Sequence, residues 1–234
     1  MGDLSAPDDE DIAPGGSQET PWVDLSLNRP GQAAREQADA HLAAARERSR
    51  FWSAVMRLLD AKTEERAWRV GAYGEETVGA RLMKLEEHGW RVLHSVPVGN
   101  RGSDIDHLLI GPGGVWTINT KNHPGKNIWV SPKQVRVSGQ PVPYLRNSQF
   151  EADRVRSTLT KAVGWEPFVK AALVILTGGT VPQITVKGMP EHVMVLNRLD
   201  VPRWFKRREP VLTPEQVEAL FEVARRSTTW QPPK

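Results

Sequence analysis

The stretch from Asp104 to Lys121, DIDHLLIGPGGVWTINTK, constrains the fold of this chain more than any other segment. Two short apolar runs, Ile105 with Leu108 to Ile110 and Val115 with Trp116 and Ile118, flank Gly111-Pro-Gly-Gly114. Glycines there supply the positive-φ positions of a tight turn, so the runs read as an antiparallel hairpin. Side chains at i and i+2 share a strand face, so Asn119 and Lys121 project together while Trp116, Ile118 and Thr120 point the other way. Folding back across the turn brings Asp106 near that polar pair. The hairpin thus has an apolar stem and a polar end.

Elements around the hairpin follow from periodicity. Val92 to Val96 reads as a strand, Lys170 to Leu176 as a buried strand and His192 to Leu196 as another. Gly71-x-x-Gly74-Glu75 is expected to open a helix whose inward stripe is Val78, Leu82 and Leu85. Asn127 to Val137 predicts two short strands around Ser131-Pro-Lys133, and Ser148 to Val163 a helix. Thr213-Pro-Glu-Gln216 is a capping box with proline at the first helical position, so the last helix docks Val217, Leu220, Phe221 and Ala224 on the core. Helix, strands, helix and strand in this order predict an α/β fold, a mixed central β-sheet flanked by helices.

The N-terminal third differs in composition. Residues 1 to about 30 are rich in Asp, Pro, Gly and Ser, which predicts a disordered acidic tail. Residues 31–69 predict a helical extension, with Trp52, Val55, Met56 and Leu59 as its apolar stripe and a homo-oligomer contact as one expected use. The core is expected over 70–182, and the strand and helices of 183–234 complete it.

At 234 residues and 39% hydrophobic content, one good core with appendages is expected. There is no cysteine, no apolar run of membrane length and no basic-then-apolar leader, so the expectation is a cytoplasmic protein with no membrane partner. Residues 1–24 hold seven acids and no Lys or Arg, leaving 31 bases against 21 acids in the remainder. A body that basic suits a polyanionic partner, and Arg203, Lys206, Arg207 and Arg208 form its densest basic cluster, the expected nucleic-acid contact.

Several of these motifs taken together, Gly71-x-x-Gly74-Glu75, Val92-Leu-His-Ser-Val96, Ile105-Asp-His107, Gly111-Pro-x-Gly114-Val115 and Thr120-Lys-Asn-x-x-Gly125, resemble the NERD (nuclease-related) domain of the PD-(D/E)xK nuclease superfamily. The resemblance implies a restriction-endonuclease-like core and a site in which two carboxylates and a lysine hold Mg²⁺ or Mn²⁺ and an attacking water. Asp106, Asn119 and Lys121 are the matching positions, with the Thr120 carbonyl as a further metal donor. Asn119 stands where the family pattern has an acid, and an amide oxygen offers a hard cation only a dipole. Glu75, which the resemblance places beside the active site, would supply the missing carboxylate. Gln149 is similar to a glutamine that some branches carry beside the metal. The implied activity is metal-dependent phosphodiester hydrolysis of nucleic acid, with DNA as the expected substrate. The alternative is an inactive nuclease-fold module that binds nucleic acid or a protein partner.

Each residue also has an ordinary structural use. Asp106 is compatible with a turn role, Lys121 with edge-strand protection and Glu75 with the dipole of a helix start. His94, His107 and His123 lie near the motif, but without cysteine or His-x-x-x-His spacing they read as hydrogen-bonding residues rather than zinc ligands. Trp52, Trp68, Trp90, Trp116 and Trp165 sit in apolar patterns that predict burial.

Overall fold

The expected hairpin forms, and a five-stranded sheet is built around it. The computed structural model describes residues 21–32, 35, 69–98, 104–179 and 183–230. Strands β1 (Arg91–Pro97), β2 (Asp104–Gly111) and β3 (Gly114–Asn122) are successively antiparallel, and β7 (Val169–Leu176) and β9 (Val193–Asn197) continue the sheet in parallel. A smaller sheet has the order β6 (Gln140–Val142), β5 (Val135–Val137), β4 (Ile128–Val130), β8 (Ile184–Val186). The result is a mixed α/β fold flanked by helices, as the sequence pattern predicts.

Alternation along the strands separates two cores. On one face Leu108, Ile110, Leu173 and Ile175 pack with Ala152, Val155 and Leu159 of α2 (Tyr144–Val163) and with Val217 and Leu220 of α4 (Pro214–Ala224). On the other face Leu109, Trp116, Ile118 and Val174 pack with Val78 and Leu82 of α1 (69–82) and with Phe205 of α3 (Val201–Lys206). Thr213 and Gln216 cap α4 reciprocally, and α5 (Ser227–Trp230) closes the described chain.

Several expectations change in detail. Gly71 and Gly74 lie inside α1, which is already helical at residue 69, rather than opening it. Gly74 has a packing reason: a Cβ there would stand 2.9 Å from the Asn122 Cβ, so glycine lets α1 approach the end of β3. α2 begins at Tyr144, one turn before Ser148. β6 escaped prediction because it contains Pro141, which an edge strand tolerates.

Residues 21–30 also depart from the expected disorder. Leu25 is buried, its N–H donates to the Arg225 carbonyl at 2.8 Å, and Asp24 pairs with Arg225 at 2.8 Å. The Val23 N–H donates to Ser227 Oγ at 2.8 Å, the Ser227 N–H donates to the Val23 carbonyl at 3.0 Å, and Arg225 and Arg226 lie over the Trp22 ring, so backbone pairing and the buried Leu25 tie this segment to the C-terminal helices. Residues 1–20 of the acidic tail, and 33–34 and 36–68 of the helical extension, lie outside the described residues, as do Trp52 and Trp68. Among the described residues no helix is long and apolar enough to cross a membrane.

Candidate active site

The site forms where β2 and β3 part. Their pairing runs from Gly111 opposite Gly114 to His107 opposite Ile118 and stops there. Beyond that point a side chain replaces the ladder: the Thr120 N–H donates to Asp106 Oδ2 at 2.5 Å. Asp106 is thereby fixed beside Asn119 and Lys121, and the structure brings these sequence-predicted residues together.

Two helices complete the cluster. α1 carries Glu75, which sits deep within the helix rather than in a first turn, so a helix-dipole role does not account for it. The glycine approach at Gly74 places it where Asp106 and Lys121 both act on its charge. From α2, Glu151 accepts from Asn119 Nδ2 with both carboxylate oxygens at 3.2 Å. Gln149, two positions earlier, is exposed, and from this helix it is Glu151 that contacts Asn119. Helical phase explains the contact: Ser148, Ala152 and Val155 define the inward stripe, and Glu151 lies on its edge. The stripe of Ala152, Val155 and Leu159 is legible in the sequence; the acid on its edge, Glu151, was the signal that sequence reasoning passed over.

Electrostatics at the site are those of crowded acids. Burial first, and then the Asp106 charge, pushes Glu75 up to about 8, while Lys121 and a hydrogen bond from the Gly31 backbone pull it back. Burial likewise raises Asp106, against Lys121 and the Thr120 N–H. Glu151 reaches about 7 through burial, reinforced by Asp106 and opposed by Asn119 and Lys121. Among the described residues, Lys121 is the cation that acts on all three carboxyls. The Asn119 Oδ1 and Thr120 Oγ1 atoms are buried without a hydrogen-bond partner.

Histidines near the site serve one another and Tyr144. The rings of His94 and His107 meet Nδ1 to Nδ1 at 2.8 Å across β1 and β2, and burial lowers His94 to about 4. His123 Nε2 meets Tyr144 Oη at 2.9 Å, and Lys121 Nζ lies 5.5 Å from the Tyr144 ring centre. Ser95, between the paired His94 and Val96, has φ 48°, and Asn28 Nδ2 donates to the carbonyls of both His94 and Ser95. A strained residue thus lies across the sheet from Asp106 and is held by the N-terminal segment. Trp90 and Trp116 are buried and Trp165 is partly buried against the core.

The basic cluster is elsewhere. Arg203, Lys206, Arg207 and Arg208 are exposed on and after α3, and Arg207 and Arg208 line a cleft with Gly113 and Trp116, at the opposite end of β3 from Lys121.

Residues 70–176 match the family model of the nuclease-related domain, NERD. The chain carries a NERD domain. PD-(D/E)xK is the general assignment for that family, and the mixed sheet flanked by helices is consistent with a nuclease-like core. No curated protein and no solved structure matches the chain. Within the NERD segment lie Glu75, Asp106, Asn119, Thr120, Lys121 and Glu151, whereas α3 with its basic cluster follows it.

Crowding of the NERD carboxyls has a consequence for stability. A carboxyl raised on folding binds a proton that the unfolded chain has already lost, so its contribution is present below the unfolded value near 4.5 and is lost as pH rises through about 8. The buried His94, lowered to about 4, contributes with the opposite sign as pH falls below about 6.5. Comparison with Glu75→Gln isolates the first effect. In metal-free buffer, thermal unfolding of Glu75→Gln relative to wild type is expected to shift progressively upward from pH 5 to pH 8. A difference that stays flat across that range would show that Glu75 is not held above its ordinary value.

Proposed function

We propose that this NERD domain hydrolyses phosphodiester bonds of nucleic acid, with DNA the expected substrate, using Mg²⁺ or Mn²⁺ held by Asp106, the Asn119 amide oxygen and the Thr120 carbonyl, with Glu75 and Glu151 completing the acidic set. The observation that carries the reading is the convergence of three raised carboxyls on Lys121. Among the described residues no group of three His, Cys, Asp or Glu is arranged as a cage for a metal ion. Mg²⁺ does not need one, since it is commonly held through one or two carboxylates, with water and substrate phosphate filling the remaining positions. The partnerless Asn119 Oδ1 fits such a sparse set as a neutral donor.

The chain's own residues have separable tasks. Asp106 is held by the Thr120 N–H, which fixes its orientation without drawing on a side chain. Glu151 accepts from Asn119 Nδ2, which fixes the amide so that its oxygen is the atom left for a ligand. Lys121 orients the attacking water and neutralises charge that develops on the phosphate in the transition state. When bound, the divalent cation polarises the scissile phosphate and lowers the pKa of a coordinated water.

Glu151 gives this reading its sharpest test. Substitution Glu151→Ala frees the Asn119 amide to rotate, and loss of an orienting partner of this kind typically weakens metal affinity about 10–100-fold. A Mn²⁺ titration of cleavage is therefore expected to show a half-maximal concentration raised by roughly that factor. An unchanged metal requirement would remove Glu151 from the site.

A second reading, a nuclease-fold module that binds without hydrolysis, is favoured by the amide at position 119 and by the absence of a ready cage among the described residues. It differs in its response to Asp106→Ala: nucleic-acid affinity in EDTA stays within a few fold while no cleavage is seen in wild type or variant.

A further inference from the structure

At the other end of the sheet a cleft of about 450 Å³ opens beside the start of β3, within the size range of small-ligand sites. Its lining is aromatic and cationic. Arg208 lies over the Trp204 ring, guanidinium carbon to centroid 4.0 Å, and Lys170 Nζ is 5.5 Å from the Phe168 centroid. Both pairs line this one cleft, and Trp116 stands edge-on to both rings, 5.1 Å from Trp204 and 6.4 Å from Phe168. Arg207 and His192 add to the basic lining, against Glu191 and Glu209.

The Gly-Pro-Gly-Gly turn holds these walls. A Cβ at Gly113 would lie 2.5 Å from the Arg208 Cβ, and one at Gly114, whose φ is 98°, would lie 2.5 Å from Phe168 Cδ1. Glycine at both positions lets Arg208 and Phe168 close onto the hairpin. Past Arg208 the chain is pinned to the same turn, with the Val211 and Leu212 N–H groups donating to the Pro112 carbonyl at 2.7 and 3.1 Å. Trp116 Nε1 is satisfied by the Gly113 carbonyl at 3.0 Å, and its buried indole backs the two rings, leaving Phe168 and Trp204 as the accessible aromatic surface.

Half-exposed aromatic rings with guanidinium and ammonium groups beside them suit a ligand that is flat, π-faced and anionic. We propose that this cleft binds a nucleobase together with its attached phosphate, the base stacking at Phe168 and the Trp204–Arg208 pair, the phosphate on Lys170 and Arg207. The ligand is a free nucleotide or the end of a nucleic-acid strand, which share this chemistry. The site lies five residues along β3 from Lys121, roughly 16 Å at the rise of a strand. It goes beyond the hydrolytic reading and does not depend on it.

The test is tryptophan fluorescence of the full chain in EDTA, where no metal-dependent cleavage contributes, titrated with AMP, with a 5′-phosphorylated thymidine hexamer and with inorganic phosphate. Saturable quenching by AMP, by the hexamer or by both, absent with inorganic phosphate, is the expected result, and the pattern assigns the source. Arg208→Glu and Lys170→Glu, both at exposed positions, are expected to weaken that binding at least about tenfold while unfolding at the wild-type temperature. Quenching by neither nucleotide probe, or equal affinity in wild type and both variants, would overturn the proposal.

Discussion

Replacing Lys121 by alanine is expected to lower the cleavage rate about 10²–10³-fold, with the loss in kcat rather than in KM. The size follows from what Lys121 faces. It is the cation that acts on Glu75, Asp106 and Glu151 alike, each of which it holds below the value that burial alone would give. In the proposed reaction a phosphate entering this site brings more negative charge, and charge that grows on its oxygens toward the transition state meets the Lys121 ammonium. Removing that ammonium costs most when the charge is greatest, so the ground state suffers less than the transition state. Single-turnover cleavage of a labelled duplex at saturating enzyme separates the two. A fall of less than about threefold would leave Lys121 as a strand-end charge and nothing more.

Phe205→Ala is expected to destabilise the fold by about 3–5 kcal/mol, the range for removing a fully buried phenyl ring. Phe205 is 1% exposed and meets three tryptophans edge-on, Trp90 at 5.5 Å, Trp116 at 5.6 Å and Trp204 at 4.9 Å between ring centres. Each aromatic pair of this kind adds about 0.5–1.5 kcal/mol beyond burial. α3 is only six residues long and has no stability of its own as an isolated helix, so the ring anchors the whole element. Urea unfolding measures the loss directly. A change below about 1 kcal/mol would mean that the aromatic cluster closes over the gap and that α3 is held by other contacts.

The sheet was legible because its signals are local. Gly111-Pro-Gly-Gly114 specifies a turn, and the apolar runs on either side specify the hairpin register; Lys170 to Leu176 can be little other than a buried strand. Asp106, Asn119 and Lys121 were readable from the same segment, since alternation and one turn suffice to bring them together. The remainder of the site depends on distant packing. Glu151 lies on the margin of an amphipathic helix whose stripe of Ala152, Val155 and Leu159 is legible in the sequence, but that this acid meets Asn119 depends on how the helix docks on the sheet. The basic residues from Arg203 to Arg208 are adjacent in sequence to nothing in the hairpin, yet the glycines of the turn receive Arg208 through space. Likewise the ordered fold of residues 21–30 rests on pairing with Arg225 and on Asn28 reaching β1, which composition does not encode.

Cleavage of supercoiled and single-stranded DNA by wild type and Asn119→Asp, prepared identically and assayed with Mg²⁺, with Mn²⁺ and with EDTA, tests the hydrolytic reading most directly. The expected result is cutting by wild type that requires the divalent ion, since on the proposed reading Glu75 and Glu151 supply the acid that position 119 lacks. Wild-type protein that is inert under every metal condition, with cutting that appears only in Asn119→Asp, would contradict it and leave a nuclease scaffold silenced at one ligand.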